Sequence, residues 1–342
     1  MENKKVLLTG VTGFLGSHTT IQLLEKGYEV IGTLRNMKRV NTIKEIIQKH
    51  TKNVGKLHFE EADLMDHSKW KVLTKDVDYV QHIASPFPRN LPKNDEELVI
   101  PAKTGVLNVL KAASENKVKR VVITSSVASV VYGKPRRDRN GTFNEADWTD
   151  ESNKNDTSPY FRSKTIAEKA AWDFISRDDS GLELATVCPG AILGPVLEED
   201  YGTSANIVIK LLDGSSPGIP DLYFDIVDVR SVAELQIKAM ESPVAAGNRF
   251  IATTEMLGMK QVAGILKDVY PGRKIPSRDI PDVLVRLFSN FQPALKPVLV
   301  DLGYKRRTDN TKAIKELNWH PISAKEAILA CAESIFENKI VR

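Results

Sequence analysis

The chain has 342 residues and a formal net charge of +4 at pH 7, with 42% hydrophobic and 27% charged residues. These values are typical of a globular protein with a sizeable core, and no uncharged apolar run approaches the ~18 residues that a membrane helix needs. The basic runs 117–120 and 136–139 lack interleaved aromatic side chains, which argues against nucleic-acid binding.

The first predicted element is a strand at 6–8, followed at once by Gly10, Gly13 and Gly16 and by a helical pattern. Glycine lets the backbone turn sharply and approach a pyrophosphate, and a helix start offers free N–H groups and partial positive charge. Strand, glycine turn and helix predict the first half of a dinucleotide-binding βαβ unit. The predicted cofactor contacts at this turn are Gly10, Thr12, Gly13, Phe14, Leu15 and Gly16.

Short apolar strands then alternate with helical patterns through the first half of the chain. This alternation predicts an α/β fold, a Rossmann-type doubly wound parallel sheet of about seven strands with helices on both faces. The further strands that the pattern locates are 28–33, 56–59, 77–83, 118–124 and 182–187. The helices that it locates are 16–26, 41–49, 96–115 and 159–177.

The end of the second strand indicates which nicotinamide cofactor is bound. A Rossmann unit normally has an acidic residue there, about 20 residues past its glycines, to bind the adenosine ribose. Here no Asp or Glu occurs between Glu29 and Glu45, and Arg35, Lys38 and Arg39 follow the strand. An arginine fork suits a phosphate dianion, so we predict NADP(H), with Arg35 as the main clamp and Arg39 or Lys38 in support. The alternative is a solvated basic helix start.

A tyrosine and a lysine share one face of the fourth predicted helix. Tyr160 and Lys164 are four residues apart, which places them about 6 Å apart along the helix axis. A phenol with a pKa near 10 exchanges its proton reluctantly at neutral pH, and a nearby cation lowers that pKa. The fifth strand ends at Thr124, Ser125 and Ser126, at the sheet edge where a serine hydroxyl can bond a substrate oxygen.

Glycine turn, strand-five serine and Tyr-x-x-x-Lys, in this order, resemble the extended short-chain dehydrogenase/reductase superfamily. The Gly-x-x-Gly-x-x-Gly spacing of the turn agrees with that resemblance. Within the superfamily, the chain is most similar to the dihydroflavonol-reductase-like branch, which includes the methylglyoxal and 3-methylbutanal reductases and related carbonyl reductases. The stretches that carry this similarity are 82–87, 120–126, 167–172 and 225–230.

The resemblance implies roles for individual side chains. Ser126 would be the catalytic serine, with Ser125 as the alternative, Tyr160 the general acid, and Lys164 the residue that holds the nicotinamide ribose and lowers the pKa of Tyr160. Relatives often have Asn where this chain has Thr104, so a proton-relay role of that Asn does not carry over. The other cofactor contacts implied are Asp63, Leu64, Ala84, Ser85, Pro86, Thr124, Pro189, Gly190, Ile192 and Ser204.

The expected reaction is NADPH-dependent reduction of an aldehyde or ketone to an alcohol by hydride transfer. One alternative is a sugar-nucleotide epimerase or dehydratase, although such enzymes usually have an acidic end to the second strand. The other is a non-catalytic NADPH-binding regulator, which would have no reason to keep Ser126, Tyr160 and Lys164 together. Candidates for an apolar substrate pocket, each explained equally well as core packing, are Phe87, Val127, Tyr201, Ile207, Tyr223 and Phe224.

Beyond Pro189 the regular alternation gives way to loop-rich segments with scattered prolines. We expect residues 1–188, with returning segments near 225–242, to form the NADP-binding domain. The remaining segments of 189–342 are expected to form mainly a smaller C-terminal substrate-binding lobe that covers the mouth of the nucleotide domain.

The cysteines give the expected setting of the protein. Cys188 and Cys331 match no metal-ligand spacing, so we expect no metal site and a reducing compartment. We therefore expect a cytoplasmic protein, a monomer or homodimer, whose partner is a small-molecule carbonyl or alcohol, with no contact to nucleic acid or membrane.

Overall fold

The computed structural model describes residues 4–86, 94–198, 201–290 and 298–341. The strands in these residues are, in chain order, β1 (Lys5–Thr9), β2 (Glu29–Leu34), β3 (Leu57–Glu61), β4 (Tyr79–His82), β5 (Arg120–Thr124), β6 (Gly141–Phe143), β7 (Glu183–Pro189), β8 (Ala191–Leu193), β9 (Tyr223–Asp228), β10 (Asn248–Ala252), β11 (Glu255–Gly258) and β12 (Arg306–Thr308). The helices are α1 (Phe14–Glu25), α2 (Val40–Gln48), α3 (His67–Leu73), α4 (Glu96–Glu115), α5 (Pro159–Ile175), α6 (Asn206–Leu212), α7 (Val229–Glu241), α8 (Met259–Val269), α9 (Asp282–Phe288), α10 (Thr311–Leu317) and α11 (Ala324–Glu337).

Among the described residues, seven strands form one sheet in the order β10-β7-β5-β4-β1-β2-β3. Every neighbouring pair in this sheet runs parallel. Helices α1 and α7 pack on one face, and α4 and α5 pack on the other. The predicted doubly wound α/β fold is therefore confirmed.

Strand β1 shows why its sequence is apolar without alternation. Val6 and Leu8 point into the core beneath α1 and α7, and Leu7 points into the core beneath α4 and α5. All three side chains are fully buried. A parallel strand covered on both faces requires a continuous apolar run of this kind.

The strand order reverses beside β1, which has β2 and β3 on one side and β4, β5, β7 and β10 on the other. In open α/β sheets, ligands bind in the crevice that such a reversal opens at the carboxyl ends of the strands. The glycine turn follows β1, and the serine pair follows β5, at this same edge. The fold thus brings the predicted site segments to one side of the sheet.

The strand patterns did not locate β10, which is the seventh strand of the main sheet. It pairs with β7 from Asn248 opposite Ala185 to Ala252 opposite Pro189, and it comes from beyond the returning segment expected near 225–242. The strand begins with the polar residues Asn248 and Arg249, so a search for continuous apolar runs does not detect it. The main sheet therefore recruits more of the C-terminal half than expected, and the domain division at residue 188 stays a prediction.

A second hydrophobic core lies among β8, β9 and β11 and helices α6, α8 and α11. Strand β9 pairs with β8 in parallel and with β11 in antiparallel orientation, and β6 pairs with β12 in a separate ribbon. Phe14, at the start of α1, packs against both this core and that of the main sheet. The first helix therefore connects the two cores.

Both cysteines, Cys188 and Cys331, are buried with free thiols. In the part of the chain that the structure describes, no helix has the length and apolar character needed to cross a membrane. Within the same residues, no group of three or more His, Cys, Asp or Glu side chains is placed to hold a metal ion.

Trp319 fastens the segment after α10 to α7. Its side chain is fully buried, its Nε1 donates to the Ser231 carbonyl at 2.9 Å, and the Ile322 N–H donates to Ser231 Oγ at 2.9 Å. We expect Trp319→Ala to lower the free energy of unfolding by about 3–5 kcal/mol, because it leaves a cavity, and Trp319→Phe to lower it less. Urea unfolding followed by circular dichroism measures both, and wild-type stability in Trp319→Ala would contradict this packing.

Candidate active site

The turn between β1 and α1 is built on two glycines that pack against each other. Gly10 has a φ of +77°, a left-handed conformation that favours glycine. A Cβ on Gly16 would lie 2.0 Å from the carbonyl oxygen of Gly10, so α1 approaches the turn too closely for any side chain there. The protein's own backbone therefore accounts for both glycines.

Gly13 differs from them, because no described neighbour requires a glycine at this position. Its φ is −84°, and an added Cβ would meet only the Gly10 carbonyl oxygen, at an ordinary 3.4 Å. Gly13 is the N-cap of α1 and makes no side-chain cap, and the first turn, which begins with Phe14 and Leu15, has no acidic residue. With Thr12 half-buried beside it, the open space at this uncapped helix start fits the pyrophosphate of a dinucleotide.

The chain that leaves β4 passes directly over this turn. An added Cβ on Gly10 would lie 3.1 Å from Ala84 Cα, and the Ala84 N–H donates to Thr9 Oγ1 at 3.0 Å. Thr9, the last residue of β1, thus ties the two strand ends together. Ala84 therefore lies beside the glycine turn, and Ser85 and Pro86, the other two residues predicted to line the cofactor here, follow it in the chain.

The cations predicted for the 2′-phosphate lie at the end of β2 and on the short turn after it. Arg35 and Lys38 are exposed, and the Asn36 side chain caps the turn by accepting from the Lys38 N–H at 3.0 Å. Arg39 forms an ion pair with Glu198. Glu198, 159 positions further along the chain, therefore places a carboxylate beside this basic group. The stretch just after the second strand has no acidic residue and could not predict this contact.

Asp63 and Leu64, which the resemblance implies as cofactor contacts, lie on the turn after β3. The Asp63 carboxylate accepts from the Met65 N–H at 2.8 Å, and the Leu64 carbonyl accepts from Asn108 Nδ2 at 2.9 Å. A Cβ on Gly105 would lie 3.0 Å from Leu64 Cβ. Gly105 and Asn108 of α4 therefore position this turn, a role that sequence reasoning missed because the contacts join distant segments.

Local interactions fix the N-terminus of α5. Ser158 caps the helix by accepting from the Phe161 N–H at 3.2 Å. Arg162 donates from Nε and Nη2 to the two carboxylate oxygens of Asp95, at 2.9 and 2.6 Å. Asp95 is the N-cap of α4, so one bidentate ion pair joins the starts of the two helices. Tyr160, in the first turn of α5, is held by this arrangement.

The structure brings the predicted catalytic residues together at the carboxyl end of β5. Lys164 Nζ donates to the Thr124 carbonyl at 3.2 Å, and Thr124 Oγ1 accepts from Gln236 Nε2 of α7 at 2.6 Å. Ser126 lies beside the Tyr160 phenol and lowers its pKa. Gln236 thus binds the end of β5 from the α7 side of the sheet. No pattern in the sequence pointed to this residue.

The two neighbouring serines have different partners. Ser126 Oγ accepts from the Ala128 N–H at 3.1 Å, and Ser126 acts on the pKa of Tyr160. Ser125 is buried, and its hydroxyl donates to Glu168 inside the protein. The geometry therefore favours Ser126 over Ser125 as the serine beside the phenol.

Burial sets the protonation of the phenol and the amine. It raises the pKa of Tyr160 to about 12, with Ser126 acting in the opposite direction. It lowers the pKa of Lys164 to about 8, with Glu168 acting in the opposite direction. The predicted lowering of the pKa of Tyr160 is therefore wrong, because dehydration of the phenol dominates. At neutral pH Tyr160 keeps its proton, as a general acid must.

The other predicted cofactor contacts occupy positions around the end of β7. Pro189 is the buried last residue of that strand, and a Cβ on Gly190 would lie 2.1 Å from the Asp225 carbonyl oxygen. Ile192 packs partly buried against the core of the main sheet, and Ser204 lies on the short turn before α6. Contact of these residues with a cofactor stays a prediction.

The predicted pocket residues pack mainly into hydrophobic clusters. Partly buried against the second core are Tyr201, Ile207 and Phe224. Val127 packs against a small cluster that contains Val131 and Phe143, and Lys305 Nζ lies 4.8 Å from the centre of the Tyr223 ring. Phe87 lies outside the described residues. The pocket role of all these side chains stays a prediction.

A model of the NAD dependent epimerase/dehydratase family matches residues 6–251, from β1 to the last strand of the main sheet. The chain belongs to this family. The resemblance to the extended short-chain dehydrogenases/reductases is thereby confirmed, and the relatives that follow agree with the branch expected from the sequence.

Two curated relatives of this family member are named as reductases. NADPH-dependent methylglyoxal reductase GRE2 of Saccharomyces cerevisiae is 33% identical over 283 residues, which cover 78% of this chain and 82% of the relative. Cinnamoyl-CoA reductase 1 of Arabidopsis thaliana is 34% identical over 276 residues, which cover 80% and 77%. The crystal structure of yeast methylglyoxal/isovaleraldehyde reductase Gre2 complexed with NADPH has a TM-score of 0.81 at 29% identity, with 97% and 98% of the two chains covered.

The two kinds of glycine in the turn are distinguished by matched substitutions. We expect Gly16→Ala to lower the thermal midpoint strongly, because its Cβ would overlap the Gly10 carbonyl. Gly13→Ala meets no such overlap, so it should lower the midpoint by only a small amount, as a weaker N-cap. Differential scanning fluorimetry compares the two variants, and equal losses would contradict the close packing at Gly16.

Proposed function

We propose that this protein is an NADPH-dependent carbonyl reductase, which converts an aldehyde or ketone to an alcohol. The observation that carries the proposal is the convergence of three side chains at the carboxyl end of β5: Lys164 donates to the Thr124 carbonyl, and Ser126 lies beside the Tyr160 phenol, whose pKa it lowers. When bound, NADPH supplies a hydride to the carbonyl carbon. The proton that completes the alcohol comes from the chain's own side chains.

Tyr160 is the proton donor in this reaction. Its raised pKa keeps the phenol protonated until the substrate oxygen gains negative charge and becomes the stronger base. The Ser126 hydroxyl bonds the same oxygen and stabilises its developing charge. Lys164, with a pKa of about 8, carries a positive charge at neutral pH and stabilises the phenolate that remains.

NADPH is the cofactor of the proposed reaction. The open position at Gly13 receives the pyrophosphate at the start of α1. Arg35 and Lys38, exposed after β2, bind the 2′-phosphate, and Arg39 joins them when it exchanges Glu198 for that phosphate. The relative named as an NADPH-dependent reductase and the solved NADPH complex support this assignment.

The family name also covers epimerases and dehydratases, which recycle their nicotinamide. The reductase names of the relatives and the basic residues after β2 favour net reduction. Incubation with NADPH or NADH and a panel of aldehydes, diketones and ketoesters tests this directly. We expect stoichiometric loss of the reduced-nicotinamide absorbance with NADPH. Conversion of substrate without loss of this absorbance would support an epimerase or dehydratase. Binding of NADPH without any conversion would support a non-catalytic regulator.

Removal of the phenol hydroxyl should abolish most turnover. We expect Tyr160→Phe to lower kcat by about 10²–10⁴-fold, the usual contribution of a general acid, with little change in the NADPH dissociation constant. Tyr28→Phe is the matched control, because the Tyr28 hydroxyl bonds Glu241 at the surface. Wild-type turnover in Tyr160→Phe would exclude the assigned role.

Charge reversal at the phosphate clamp should act on the cofactor alone. We expect Arg35→Glu to raise KM for NADPH by about tenfold to a hundredfold, because a charged hydrogen bond contributes about 1.5–3 kcal/mol, and to leave KM for NADH much less affected. Arg177→Glu makes the same charge change at an exposed residue just after α5, which pairs with Asp173. An unchanged KM for NADPH in Arg35→Glu would refute the clamp.

A further inference from the structure

Helix α5 has another buried polar side chain one turn beyond Lys164. Glu168 is 1% exposed, and its Oε1 accepts from Arg249 Nε of β10 at 2.8 Å. Arg249 Nη1 donates to the carbonyls of Glu145 and Asp147, at 2.7 Å each. Both members of the ion pair are therefore hydrogen-bonded, as a buried pair must be if it is to repay its desolvation.

Hydroxyl groups from the segment after β5 and from the neighbouring strand β7 converge on the same carboxylate. Ser125 and Ser129 donate to Glu168 Oε2, and Thr186 of β7 donates to Oε1 at 2.8 Å. Ser129 Oγ also lies 2.8 Å from the carbonyl oxygen of Ser126. Ser126 is thus flanked on both sides by residues that are bound to Glu168.

The charge of Glu168 is stabilised by these partners. Burial alone would raise the pKa of Glu168, but Arg249 and the hydroxyl donors hold it below its ordinary value. The ionised carboxylate accepts every hydrogen bond offered to it, which a neutral carboxylic acid would not do. The strand end and the turn after it are therefore fastened to a fixed charge.

We propose that Glu168 is a positioning residue of this active site, whose carboxylate fixes Ser125 and Ser129 and so holds the Ser126 hydroxyl against Tyr160. The inference rests on the proposed function, because Ser126 and Tyr160 act there on the substrate oxygen. Glu168 itself touches neither substrate nor cofactor. It acts through the strand end that it binds.

The same carboxylate is the negative charge next to Lys164. Burial lowers the pKa of Lys164, and Glu168 and Cys188 oppose that effect. Burial raises the pKa of Cys188 to about 12 and lowers that of His82, on the β4 side, to about 3, so both groups are neutral. Tyr160 is neutral as well, with its pKa of about 12. Glu168 is therefore the ionised group, among these described neighbours, that favours the ammonium.

Glu168→Gln keeps the shape of the side chain and removes its charge. We expect kcat to fall by about tenfold to a hundredfold, the effect of a small misplacement of reacting groups, with the NADPH dissociation constant unchanged. The alkaline limb of kcat should also move to lower pH by about one unit, because Lys164 loses its proton more readily without the adjacent charge. Profiles of kcat against pH at saturating NADPH and carbonyl substrate measure both effects.

A second pair of variants leaves the ion pair intact, in case an unpaired Arg249 prevents Glu168→Gln from folding. Ser129→Ala and Thr186→Val each remove one hydroxyl bond to Glu168. Ser129 lies in the turn after Ser126, and Thr186 lies on β7, away from it. We expect Ser129→Ala to lower kcat about tenfold or more with the alkaline limb unmoved, and Thr186→Val to lower kcat clearly less than Ser129→Ala does.

The outcomes separate positioning from stability. A wild-type kcat in Ser129→Ala would overturn the proposal. Equal losses of kcat in Ser129→Ala and Thr186→Val, in proportion to the drop in their thermal midpoints, would also overturn it. A folded Glu168→Gln with an unmoved alkaline limb would overturn the role of its charge. Failure of the proposed function is recognised separately. In that case the wild-type protein would not oxidise NADPH in the presence of any carbonyl of the panel.

Discussion

The contact between Gly16 and the carbonyl group of Gly10 sets the geometry on which the site depends. It brings the N-terminus of α1 against the carboxyl end of β1, with Ala84 packed over the other side of the turn. Because the protein fills the space at Gly10 and Gly16, the open position is left at Gly13. An anion can therefore meet backbone N–H groups and the positive end of the helix dipole together.

A positive, a negative and a positive side chain follow one another from β10 to the helix turn that follows the predicted proton donor. Arg249 pairs with Glu168, Glu168 favours the charge on Lys164, and Lys164 follows Tyr160 by one turn of α5. Dehydration alone would neutralise the amine as well as the phenol. The buried ion pair behind them counteracts this for the amine only. The helix thus presents a protonated phenol beside a cation, which is the combination that the proposed reduction of a carbonyl requires.

Short-range patterns were sufficient to predict much of this arrangement. The glycine spacing and the Tyr160–Lys164 pair are local, and the apolar runs located six of the seven strands in the main sheet. A strand places adjacent serines on opposite faces, so periodicity could not choose between Ser125 and Ser126. The choice came from the family resemblance and is favoured by the partner that each hydroxyl has in the structure.

What the sequence could not predict depends on contacts between distant segments. Glu198 reaches Arg39 across 159 positions, and Arg249 reaches Glu168 across 81. Neither pair follows a spacing rule, because the fold alone brings its members together. The direction of the pKa shift of Tyr160 could not be predicted from the sequence either, since it depends on how far the folded chain removes water from the phenol.

The ion pair between Arg162 and Asp95 has a consequence for how such a scaffold diversifies. The connection from β4 to α4 is anchored near its start by the bond from Ala84 to Thr9 and at its end by this pair. The entropic penalty of a loop with fixed ends grows only slowly with its length. Because the pair joins the starts of α4 and α5, a change in the length of the chain before α4 would leave Tyr160 in its place on α5.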